Sequence, residues 1–135
     1  MVPTIVTALM LTFTSVDLRN PAVHGILADL LRGARYGMSD REEAAFLIRN
    51  RNGAIFFLRW QRSDLPDRAE WRGPIPAGTV AILHTHPNWL PSPSNLDARV
   101  ALKTEVPVYV ITRTRISLTE GGKPVIVTSG DWSEN

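Results

Sequence analysis

One stretch of the chain, Val23 to Leu31, carries a sustained helical repeat, with Val23, Ile26, Leu27, Leu30 and Leu31 spaced by three and four residues. Most other apolar residues come in short runs closed by turn formers. A chain patterned this way hides its apolar surface by assembling short strands into a sheet and laying few helices against it. The helix is expected to begin after Asn20-Pro21, where Asn can cap and Pro can occupy the first turn, and to stop at Gly33 or Gly37. Ahead of it, Thr7 to Val16 alternates Leu9, Leu11 and Phe13 with Thr or Met and reads as a strand.

Ala44 to Ile48 and Ala54 to Trp60 are apolar runs joined through Asn52-Gly53, a strong hairpin signal. Residues 61 to 78 carry charges plus Pro66, Pro74 and Pro76 and read as a surface connection. Thr79 to Leu83 reads as a short buried strand, 87 to 94 as irregular because of its three prolines, and Asn95 to about Lys103 as a short helix. Val106 to Thr112 and Ile116 to Leu118 read as strands, and Gly121-Gly122 turns the chain into Val125 to Thr128. The order predicts one α/β domain over residues 1–135, a mixed β-sheet flanked by helices.

Composition narrows the chemistry. At 135 residues, with 44% hydrophobic and 21% charged residues, the chain is neither disordered nor a coiled coil. Cysteine is absent, which excludes disulfides, thiolate metal sites and cysteine nucleophiles, so any metal must sit on His, Asp or Glu. Fifteen basic residues against 13 acidic ones leave a net charge of +2, too small an excess to point to nucleic acid without a clustered basic face. No Lys or Arg precedes Arg19, and Thr and Ser interrupt the early apolar run, so neither a secretory leader nor a membrane span is expected and the cytoplasm is the default compartment.

The densest chemical signal is His84-Thr85-His86-Pro87, at the end of the predicted 79–83 strand. Residues two apart on a strand project from one face, so both imidazoles can converge on one ion. An isolated His-x-His is more often a hydrogen-bonded pair. Downstream, Ser94-Asn95-Leu96-Asp97 is close to a helix capping box, and the same helix start puts Ser94 and Asp97 on one side. Asp97 can then supply an oxygen ligand if the Pro-rich loop folds back, giving a His₂Asp set that leaves a fourth position open, as catalytic zinc sites do.

His84, His86, Pro87, Ser94 and Asp97 stand at the spacing of the JAMM/MPN domain metallopeptidases, whose signature is an upstream Glu, His-x-His-Pro, seven residues, and Ser-x-x-Asp. The chain resembles that family over most of its length. The resemblance implies a JAMM/MPN (cytidine deaminase-like) core, with His84, His86 and Asp97 as ligands of Zn²⁺ and Ser94 helping to stabilise the oxyanion. It places a glutamate general base where this chain has both Glu42 and Glu43. Glu42, followed by Ala45, Phe46 and Leu47, fits the family pattern better than Glu43, although the usual preceding proline is missing from Met38-Ser39-Asp40-Arg41 and Ala45 stands where a glycine is frequent. The activity implied is hydrolysis of an amide or isopeptide bond at the C-terminal tail of a ubiquitin-like or sulfur-carrier protein. Relatives of the same fold serve as non-catalytic scaffolds, and a RadC-like branch has a role connected to DNA; these are the competing expectations.

Several residues have plainer readings. Trp89 and Leu90 can wall a groove or pack their loop onto the domain, and His24 is expected to be an exposed helical side chain. Arg49, Arg51, Arg59 and Arg62 read as solvated charges around the hairpin.

Overall fold

The computed structural model describes residues 16–39, 41–61 and 69–134. Most of the predicted 7–16 strand, and Arg62, lie outside the described residues.

Helix α1 spans Pro21–Gly33, and Asn20 caps it by accepting the Ala22 N–H at 2.9 Å. The spacing that predicts this helix also fixes its buried face: Val23, Ile26, Leu27, Leu30 and Leu31 all point inward. The chain then passes through a single 3₁₀ turn, Arg35–Gly37, and enters β1, Ala44–Arg49. The hairpin forms as expected. Asn50 Oδ1 accepts the N–H groups of Asn52 and Ala54, Gly53 takes φ +82°, and β2 returns over Ile55–Arg59.

Strand β3 is longer than the apolar run suggested, Thr79–Thr85, so it carries His84 within its ladder. Helix α2, Asn95–Thr104, follows the proline-rich loop. Glu105 ends it in the left-handed region at φ 58°, and Pro107, lacking an N–H, defers β4 to Val108–Thr112. Strands β5, Arg115–Thr119, and β6, Val125–Ser129, complete the sheet.

The fold is mixed α/β: among the described residues, six strands in the order β2-β1-β3-β4-β5-β6, with two helices. Only β3 and β4 run parallel, joined through α2; the other neighbours are antiparallel. Alternation along the strands sorts the core into two layers. Ala45, Leu47, Ala81, Leu83, Tyr109 and Ile111 meet α1, and Trp132 closes that layer. Phe46, Ile48, Ile82 and Val108 face the other way, toward Ala101 and Val100 of α2 and the rings of Trp60 and Trp71. Each of these large side chains, once buried, contributes about 1.5–3 kcal/mol. His24 differs from its expectation: it is half-buried, its Nε2–H donates to Trp132 O at 3.0 Å, and its ring lies edge-on to the Trp132 indole.

No helix among the described residues is long and apolar enough to cross a membrane.

Candidate metal centre

The site lies at the carboxyl end of β3, beside the matching end of β4, where ligand sites of α/β sheets form because the loops diverge there. The alternation that sends Ile82 toward α2 sends His84 to the same side, and the backbone of His86 stays in the ladder by donating to Ile111 O at 3.0 Å. Pairing of β1 with β3 puts Ala44 opposite His84, which brings the residues just before β1 alongside the histidines.

Four of the residues singled out in the sequence converge there. Glu42 Oε1 accepts His84 Nδ1–H at 3.0 Å. His86 Nδ1–H donates to the carbonyl of Leu90 at 2.8 Å. With each Nδ1 committed to an acceptor, the Nε2 atoms are the nitrogens left to meet a metal ion. Both face Asp97, His84 Nε2 at 3.0 Å from Oδ1 and His86 Nε2 at 3.4 Å from Oδ2. The two rings stand edge to face with centroids 4.7 Å apart.

Asp97 is held by the start of α2. Ser94 Oγ accepts the Asp97 N–H at 3.1 Å and Asp97 Oδ2 accepts the Ser94 N–H at 2.8 Å, a reciprocal capping box. The helix-start and ligand readings of Ser-x-x-Asp are therefore one arrangement, in which the cap fixes the carboxylate and turns Oδ1 toward His84. Ser94 itself is exposed; its oxygen is used by the cap while its hydroxyl hydrogen stays available to donate outward.

Glu43 goes elsewhere. It lies on the α1 side of the sheet, only 5% exposed, and pairs with Arg59 at 2.9 Å beside Gly33, where a Cβ would come within 2.6 Å of its carboxylate. Arg59 also reaches Asp29, so this arginine of the hairpin is a structural partner on the α1 face. Of the two candidate glutamates, Glu42 is the one the fold brings to the histidines.

Electrostatics favour a cation at this point. Burial works against a charged His84, yet the carboxylates of Asp97 and Glu42 outweigh it and raise the pKa to about 9. Burial likewise opposes ionisation of Asp97, but His84, His86 and the Ser94 N–H hold its carboxyl well below the ordinary range. His84 Nε2 is a buried nitrogen with no aligned hydrogen bond, because Asp97 Oδ1, although near, lies off the line of its N–H. Two imidazoles, one of them with a buried Nε2 that makes no aligned hydrogen bond, and a carboxylate are a donor set that suits a zinc ion, with His84, His86 and Asp97 able to hold it. Glu42, His84 and His86 also each offer a ligand atom within 4.8 Å of one another, a second grouping that could hold an ion.

What holds the loop between the candidate ligands is not marked in the sequence. Asn88 donates its N–H to Gly37 O at 2.9 Å and its side-chain amide to Tyr36 O at 2.9 Å, and its Oδ1 accepts the Arg113 N–H at 3.1 Å. A lone Asn after His-Pro gives no sequence signal of this. Trp89 and Leu90 project outward, 64% and 53% exposed, so their loop is not packed through these side chains.

No family model matches the chain, and neither a curated protein nor a solved structure is found to be similar to it.

Proposed function

We propose that the chain is a zinc-dependent hydrolase of the JAMM/MPN type, acting in the cytoplasm on an amide or isopeptide bond at the C-terminal tail of a ubiquitin-like or sulfur-carrier protein. The observation that carries this reading is the convergence of His84 Nε2, His86 Nε2 and the Asp97 carboxylate, with Glu42 beside them. Zinc held by His84, His86 and Asp97 would polarise water and the scissile carbonyl.

The chain's own groups supply the remaining work. Leu90 O orients the His86 imidazole by holding its Nδ1 hydrogen. Glu42 is the proton carrier: it exchanges the His84 Nδ1–H for the attacking water, takes the proton, and returns it to the leaving amine. Ser94, whose oxygen stays in the cap, donates its hydroxyl hydrogen to the negative charge developing on the carbonyl oxygen.

The test is cleavage of a fusion in which a ubiquitin-like or sulfur-carrier protein is joined through its C-terminus to a reporter peptide. The zinc-loaded wild type is expected to release the peptide and Glu42→Gln to retain zinc without releasing it. Zinc binding without cleavage of any such fusion would turn the account toward a non-catalytic metal-binding scaffold.

A further inference from the structure

Three consecutive residues just before the site, Arg35, Tyr36 and Gly37, occupy the left-handed region, with φ of 53°, 57° and 80°. For Arg35 and Tyr36 this is a strained conformation that persists only where the surroundings impose it. Its result is visible in the hydrogen bonds: the carbonyls of Tyr36 and Gly37 both turn to Asn88. A Cβ on Gly37 would collide with Asn88 Oδ1, so the two residues touch too closely for any side chain between them. Through Arg113 N–H the same amide also holds the β4–β5 turn. Asn88 thus joins three segments that have no regular structure with which to hold one another.

Two residues beyond Asn88, Leu90 O receives His86 Nδ1–H, and that bond decides which nitrogen of His86 carries the lone pair. The Leu90 carbonyl belongs to a loop with three prolines and outward-facing side chains, and Asn88 is its anchor toward Gly37 and Arg113. We infer that Asn88 is a positioning residue of the metal centre, which through the 86–90 loop holds Leu90 O on His86 Nδ1 and so keeps His86 Nε2 turned to Asp97. The strain at Arg35 and Tyr36 is the cost of aiming two carbonyls at this one residue, Tyr36 O at its side-chain amide and Gly37 O at its backbone N–H. The inference rests on the metal-site reading given above for its effect on zinc, but not for its effect on the His86 ring.

The experiment compares the wild type, Asn88→Ala, Asn88→Asp and a control, Asn50→Ala, which removes an amide from the hairpin turn at the far end of β1. Asn88→Asp keeps the acceptor for Arg113 N–H and loses the donor to Tyr36 O. Two quantities are read on folded protein: zinc affinity by chelator competition, and the tautomer of metal-free His86 from its ring ¹⁵N shifts. The wild type and the control should show the neutral His86 ring protonated at Nδ1. Both Asn88 variants should populate the other tautomer and bind zinc about tenfold more weakly. If Asn88→Ala does not fold, Asn88→Asp decides. A folded Asn88 variant with the wild-type His86 pattern, or a control that shifts it equally, would overturn the inference. A wild type that binds no zinc would instead count against the metal site, and the tautomer comparison would still decide the role of Asn88.

Discussion

Glu42 and Glu43 are neighbours in the chain, and the fold gives them opposite roles. Glu43 turns to the α1 side, where it is sealed against Arg59 and its backbone locks to Thr85: Glu43 N–H donates to Thr85 Oγ1 and Thr85 N–H donates to Glu43 O, both at 2.9 Å. Glu42 turns to the α2 side and meets a histidine that also faces a second carboxylate. One carboxylate is neutralised by a permanent cation. The other faces groups whose charge is set by protons or by a metal. The difference teaches that strand alternation, more than the chemistry of the residue, separates a charge sealed in an ion pair from one placed beside the histidines in this molecule.

The sharpest way to break the comparison is to remove each charge in turn. Glu42→Gln should lower turnover of the fusion substrate by about 10²- to 10⁴-fold with zinc retained, the scale of a lost general base. Glu43→Gln should leave turnover by the folded protein within a few-fold. Steady-state kinetics on the two variants checks this, and the reverse pattern would assign the base to Glu43.

A second prediction concerns pH in the metal-free protein. His84 has a folded pKa raised to about 9 from 6.5, so its stabilising contribution is complete below pH 6.5 and fades as pH rises through about 9. Asp97 is shifted downward from 3.8, so its contribution is complete above that value and is lost as pH falls below it. Urea melts should therefore show a loss of stability between pH 6.5 and 9 that His84→Ala abolishes. A wild type equally stable across that window would contradict the charged His84. Zinc binding near neutrality should also release a proton, which calorimetry in buffers of different ionisation enthalpy would detect.

On the other face, Glu43→Gln should cost about 1–3 kcal/mol of stability, since it leaves Arg59 without a buried counter-charge. Thermal melts of the zinc-free protein measure it. The smallest effect is expected from Ser94→Ala, about 1 kcal/mol from the lost cap. Its effect on turnover should exceed its effect on zinc affinity if the hydroxyl serves the developing charge, and a change in zinc affinity alone would reduce Ser94 to a cap.

The signals that were local proved legible. The three- and four-residue spacing of Val23 to Leu31 predicts α1 together with its buried face, and Asn52-Gly53 marks a turn that forms where it stands. The spacing of His84, His86 and Asp97 likewise picks out residues that do come together, because a strand and a helix cap each fix their own part of the geometry. What could not be read depends on long-range register. Glu42 and Glu43 are separable only once Ala44 is known to pair with His84. Asn88 acts on Gly37 and Arg113, distant in sequence and unmarked by any motif, and His24 is drawn inward by Trp132 from the other end of the chain. Arg59 read as a solvated charge because nothing near it in sequence announces Glu43 and Asp29 as partners.

The central claim is that His84, His86 and Asp97 form one zinc site, and elemental analysis of purified protein tests it most directly. The account predicts about one zinc per chain in the wild type and none in the His84→Ala/His86→Ala variant. No zinc in the wild type after reconstitution, or equal zinc in both proteins, would contradict it.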